Sequence, residues 1–234
     1  MKFTSSGAAL AVLGTLAVGG CGTEASSVSG TSSASPSATA SPTATASSTS
    51  STSPTPTETA PLSSDGRPLR GELSIPKIGV NDLEVVPYRG WTDDAPGTEI
   101  QNGGVAASPF GPRGGTGPGG IGNYQVTAHR LSSTQAFLRL PELRRGDRVS
   151  VRTEEATYVY RITATRETSF RSEASLRAQR APVPGRPGEE PTRAMITLST
   201  CATPEDHAAG NYWADEFDNP EHRIDKIGVL VAVR

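Results

Sequence analysis

The sequence predicts a mainly β fold, a closed barrel or a sandwich with short helices and long loops. Three observations carry this. Residues Asp65–Arg234 hold a series of short alternating or β-branched runs, separated by Gly, Pro and acidic turns. Apart from Phe3, every aromatic residue lies between Tyr88 and Phe217, so the core is built there. Few segments carry helical spacing, and short strands with few helices bury their edges by closing into a barrel or packing as two sheets.

The elements follow in order. "GELSIPKIGV" alternates until Pro76, a residue that sheets tolerate only at edges or bulges. "DLEVVPY" reads as a second short strand. The stretch from Arg89 to Gly122 reads as a long irregular connection ending in "GPRGGTGPGGIG". Gly115, Gly117 and Gly120 there have dinucleotide-motif spacing, but they lead into a strand and no Lys-Ser/Thr follows, so a tight loop is expected. "NYQVTAH" is a strand. "STQAFLRLPEL" is a helical turn or short helix with Phe137 and Leu140 inward. "RGDRVSVRT" and "ATYVYRITATRE" are strands joined at Glu154–Glu155, and a short helix is expected around Ser172–Gln179. "RAMITLSTC" and "RIDKIGVLVAV" are the last two strands, separated by a polar, acidic loop.

Organisation is uneven along the chain. Residues 1–20 read as a signal peptide: Lys2, an apolar stretch from Ala8 to Val18, then small residues, too short for a stable span. Val18-Gly19-Gly20-Cys21 resembles a bacterial lipobox, with Cys21 lipidated; the alternative is ordinary cleavage leaving Cys21 a free thiol. Residues 21–64 form a Ser/Thr/Pro/Ala-rich tether whose only charges are Glu24 and Glu58. Such a segment buries too little apolar surface to fold and spans about 35–40 Å if flexible. Residues 65–234 form the folded domain. Net charge is -2 with both signs interspersed, which argues against a nucleic-acid surface.

If Cys21 is lipidated, Cys201 has no disulfide partner, and a lone exported thiol is either buried and inert or kept for chemistry. Histidines stand at His129, His207 and His222, without the paired spacing that zinc sites favour. His129 ends one strand, Cys201 ends a later one, and Arg223 opens the last. Three strand ends can meet on one barrel rim. There an imidazole takes the thiol proton and returns it to a leaving amine, while a guanidinium stabilises an oxyanion. Strand alternation then points His222 away from Arg223, and Arg130 away from His129.

"GNYQVTAHR", "FLRLPELRRGDRVSV", "ITLSTC" and an arginine before a terminal apolar strand together resemble the sortases of Gram-positive bacteria, from about Gly71 to the C-terminus. "TLSTC" is similar to the sortase T-L-x-T-C motif at each fixed position. The detail resembles the class E sortases of actinobacteria. The resemblance implies an eight-stranded β-barrel and a cysteine transpeptidase; no cofactor or metal is expected. It implies Cys201 as nucleophile, His129 as the strand-end histidine and Arg223 as the active-site arginine. It also implies cleavage of an LAxTG- or LPxTG-like sorting signal between Thr and Gly. The partners implied are sorting-signal-bearing surface proteins and a cell-wall amine acceptor; the lipobox reading of Cys21 adds membrane contact through the lipid, with the domain in the cell-wall space. The chain departs from the family in its lipoprotein-like start and in the long acidic segment 202–222, which reads as solvated charge, with calcium binding as the alternative.

Other classes fit less well. "LSTCAT" lacks the Ser-His-Gly-Cys of L,D-transpeptidases, and papain-like peptidases place the cysteine before the histidine. A wall-associated binding module without activity would not need the His129, Cys201 and Arg223 set.

Overall fold

Eight strands carry the fold in the computed structural model, which describes residues 62–234. They are β1 (Gly71–Ile75), β2 (Val80–Arg89), β3 (Ala106–Phe110), β4 (Gly122–Thr127), β5 (Arg148–Arg152), β6 (Thr157–Ser169), β7 (Ala194–Cys201) and β8 (His222–Val233). They close into one barrel in the order β1-β2-β3-β4-β7-β8-β6-β5. The β2–β3 and β4–β7 pairs are parallel and the other pairs antiparallel. The expected signal peptide, Cys21 and nearly all of the tether lie outside the described residues. By Ser64 the chain is already held, since its amide donates to the Gly119 carbonyl at 2.8 Å.

Alternation explains the interior. Leu73 and Ile75, Val149 and Val151, Tyr160 and Ile162, Ile196 and Leu198 are all buried on successive inward positions. Each large side chain so buried contributes about 1.5–3 kcal/mol. Tyr124 and Tyr160 stack inside with ring centroids 6.5 Å apart.

The Arg89–Gly122 connection is not irregular as the sequence suggested. It contains helix α1 (Ala95–Asn102) and strand β3. Asp94 caps α1, its carboxylate accepting from the Gly97 amide at 2.9 Å, and Pro96 stands in the first turn. β3, "AASPF", escaped notice because its residues are small, Pro109 interrupts it, and its long pairing is a parallel one with β2. The glycine run serves close packing. A Cβ at Gly117 would fall 1.7 Å from the Arg67 carbonyl oxygen, and the Gly117 amide donates to Gly66.

Helix α2 (Glu173–Arg180) starts at the Ser172 cap, close to the expected span. The 131–143 segment buries Phe137 and Leu140 as expected, but as turns and one 3-10 turn at Leu140–Glu142. Buried Lys226 of β8 fastens it, donating to the carbonyls of Pro141 and Leu143 at 2.9 and 2.7 Å. A third helix, α3 (Thr203–Ala208), follows Cys201 directly where a loop was expected.

Candidate active site

The "ITLSTC" strand is rigid because of what it buries. Ile196 and Leu198 are fully enclosed, and the Thr200 hydroxyl donates to the Ala128 carbonyl at 2.8 Å. Cys201 is the last residue of β7 and only partly exposed. Parallel β4 runs beside it, with Thr127 opposite Ser199, and the Ala128 amide donates to the Ser199 carbonyl at 3.3 Å. That alignment carries on toward His129 and Cys201, which line one cavity of about 440 Å³ with Asn102, Arg130 and Phe217. On the other flank, antiparallel β8 sets Arg223 directly opposite Cys201. The topology therefore brings His129, Cys201 and Arg223 onto three adjacent strand ends.

Burial sets their charges. The Cys201 thiol is pushed above its ordinary pKa by burial, against the pull of Arg223, and Asp93 pushes it further. Burial lowers the pKa of His129, with Asp93 opposing that shift. His129 Nε2 lies 2.8 Å from the Asn102 side-chain oxygen at the end of α1. With that oxygen accepting, the ring carries its proton on Nε2 and leaves Nδ1 as the basic nitrogen.

Arg223 is 1% exposed. Its Nε donates to Asp93 at 3.4 Å, and Nη1 to the Pro220 and His222 carbonyls at 3.4 and 3.5 Å. The guanidinium lies over the Phe170 ring at 4.2 Å. Nη2 is buried and has no partner among the described residues. Burial opposes the charge, but Asp93 and Cys201 raise its pKa above the ordinary value.

Two neighbours were missed in the sequence, and a third was misplaced. Asp93 and Asn102 lie in the stretch read as irregular. Arg130 was expected to point away from His129, yet it lines the same cavity and donates to the Cys201 carbonyl at 3.2 Å and to Glu205. The reason is that β4 ends at Thr127, so pleat alternation no longer governs residues 129 and 130. His222 conforms to its expectation: it turns to the buried Asp206 of α3, Nδ1 to Oδ1 at 2.6 Å.

The acidic segment is occupied with its own structure. Asp215 accepts from the Phe217 and Asn219 amides, Asp206 from His222, and Glu221 from Asn211 and Ser169. Among the described residues, no group of three or more His, Cys, Asp or Glu is arranged to hold a metal ion.

Comparison with known proteins gives the same fold. A sortase-domain family model matches residues 73–214, more than half of the chain. The SrtA sortase from Actinomyces oris is similar at 21% identity and TM-score 0.54, covering 74% of this chain and 90% of that one. Sortase E1 from Streptomyces coelicolor, solved with a tripeptide in its active site, is 20% identical with TM-score 0.52, covering 74% and 93%. A mutant of sortase E from Streptomyces avermitilis is 22% identical with TM-score 0.51, covering 73% and 92%. At these identities the solved structures speak for the fold alone. No curated protein matches. The family model runs from β1 to the segment before β8, and the chain belongs to the sortase family.

Proposed function

We propose that this sortase cleaves a C-terminal sorting signal between Thr and Gly and transfers the new acyl end to a cell-wall amine. Sortases are cysteine transpeptidases that act on sorting-signal proteins and amine acceptors, and membership of the family supports that general activity for this chain. The finer assignment rests on one observation: Cys201 and Arg223 are direct cross-strand partners, and His129 shares the Cys201 cavity from the neighbouring strand.

The roles follow from the chemistry. His129 takes the Cys201 proton as Sγ bonds to the threonine carbonyl carbon, and Arg223 Nη2 donates to the oxyanion. The threonine–glycine C–N bond then breaks, and imidazolium returns the proton to the leaving glycine amine. A neutral acceptor amine attacks the thioester, the C–S bond breaks, and His129 removes the amine's extra proton to reprotonate the thiol. An LAxTG preference, as in class E, rests on the sequence resemblance.

The same reading places residues 1–20 as a removed signal peptide and Cys21 as the lipid anchor. The tether then sets the barrel in the cell-wall space, beside surface proteins carrying sorting signals. Mass spectrometry of the mature N-terminus should show an acylated Cys21; an unmodified cysteine overturns the anchor.

The activity is tested with Leu-Ala-x-Thr-Gly and Leu-Pro-x-Thr-Gly peptides, with and without a glycine-bearing amine, by mass analysis. The expected product is the amide to the acceptor, with Cys201→Ala forming no thioester. Free threonine acid as the sole product at saturating acceptor would mark a hydrolase.

A further inference from the structure

Between β2 and α1 the chain makes a fastened loop. The Tyr88 hydroxyl donates to the Trp91 carbonyl at 2.6 Å, and the Trp91 amide donates to Asp94 at 3.1 Å. Thr92 is buried, with its hydroxyl donating to Gln179 of α2 at 3.0 Å, and Arg180 donates to its hydroxyl and carbonyl at 2.9 and 3.1 Å. Asp93 sits between these anchors in a left-handed conformation, φ 59°. Its side chain is 7% exposed and faces the Nε of Arg223. Aspartate adopts this region more readily than most side chains, so the loop takes this turn without a glycine.

The contacts of Arg223 divide its nitrogens. Asp93 takes Nε, two backbone carbonyls take Nη1, and Nη2 is left unpaired and buried. Asp93 is the one carboxylate hydrogen-bonded to this guanidinium among the described residues. A planar guanidinium held at Nε and Nη1 has its remaining edge fixed in direction.

We propose that Asp93 is a positioning residue for acyl transfer, acting through Arg223. It neutralises the buried guanidinium, fixes its plane and leaves Nη2 as the donor for the developing oxyanion. This rests on the role given to Arg223 above. The charge of Asp93 also reaches the nucleophile, where it disfavours the thiolate. That second effect supplies a readout independent of turnover.

The test uses Asp93→Asn in the full chain. Asparagine tolerates the left-handed region and keeps the side chain's size, so the variant removes charge without forcing the loop. Asp93→Gly, which also suits this φ, is the second variant. Iodoacetamide alkylation of Cys201 is followed against pH by peptide mapping, and kcat and KM are measured with sorting peptide and amine. Both variants should move the alkylation midpoint to lower pH. Both should lower kcat about 10- to 100-fold with KM little changed. In an Arg223→Gln background the effect of Asp93→Asn on kcat should vanish. A midpoint that stays or rises, unchanged kcat, or a full kcat loss in the Arg223→Gln background overturns the proposal. If the wild type transfers no peptide at all, the sortase roles fail instead, and the alkylation midpoint alone decides whether Asp93 acts on the site.

Discussion

Arg130 holds the main-chain carbonyl of Cys201 at 3.2 Å while its guanidinium grips Glu205 on the helix that follows. The backbone of the proposed nucleophile is thus clamped from the chain segment that carries His129. Arg130 and Arg223 approach Cys201 differently, one through the backbone and one through the cross-strand side chain.

That difference ranks the two arginines. If Arg223 is the oxyanion donor proposed above, Arg223→Ala should cost about 10²–10³ in kcat. Arg130→Ala should lose less activity but about 1–2 kcal/mol of stability, since it releases both β7 and α3. Steady-state kinetics and chemical denaturation of both variants check this; a larger kcat loss at Arg130 would transfer the donor role to it.

The pH–rate profile should be broad. Burial lowers the His129 pKa, so the acid limb of kcat/KM should fall below the ordinary imidazole value of about 6.5. Burial raises the Cys201 pKa, so the alkaline limb should lie above the ordinary thiol value of about 8.5. Between them thiol and imidazole are expected to be both neutral, the proton moving as the acyl bond forms. A narrow bell centred below pH 6.5 would contradict these assignments.

Asp225 should govern stability in mild acid. Its buried carboxylate accepts from Ser199 at 2.6 Å, Thr168 at 2.6 Å and Gln179 at 2.9 Å, joining β6, β7, β8 and α2. Burial nevertheless raises its pKa above the ordinary carboxyl value. Ionising it therefore costs more in the fold than in the open chain, and its contribution declines as pH rises through the folded pKa. Asp225→Asn should lose about 1–3 kcal/mol. The wild type's advantage over it should be greatest in acid and shrink toward neutral pH, as read from denaturation curves across that range.

His222 titrates with the opposite partner. Its burial disfavours the charge, but Asp206, then Glu167 and Glu221, raise its pKa above the ordinary value. A raised histidine stabilises the fold fully below its unfolded pKa and loses that contribution as pH rises through the folded one. The melting-temperature gap between wild type and His222→Gln should therefore close above about pH 6.5. A gap constant with pH would show that only the neutral hydrogen bond counts.

Much of the barrel was legible because inward and outward residues alternate, as in "GELSI" and "RVSV". β3 was not, because "AASPF" offers no contrast between faces, and a short run beside β2 is stabilised by its neighbour more than by its composition. α1 did leave a signal in Asp94 and Pro96. Around the site, strand ends could be read, since TLSTC and TAH stop where polarity changes. Asp93 could not. A loop aspartate looks solvated until a guanidinium from residue 223 closes over it, and nothing local in "GWTDDAP" announces that contact.

The β7–β8 ladder has a consequence for loop engineering. Paired from Met195↔Val229 to Cys201↔Arg223, it sets the backbones of Cys201 and Arg223 opposite each other, while Pro220 near the segment's end helps hold the guanidinium. The ends of the intervening segment are tied by Glu205 to Arg130 and by Asp206 to His222, but Tyr212 at its middle is 73% exposed. That middle portion is a natural insertion port. A reporter group or an affinity tag spliced near Tyr212 would leave the Cys201–Arg223 strand pairing in place.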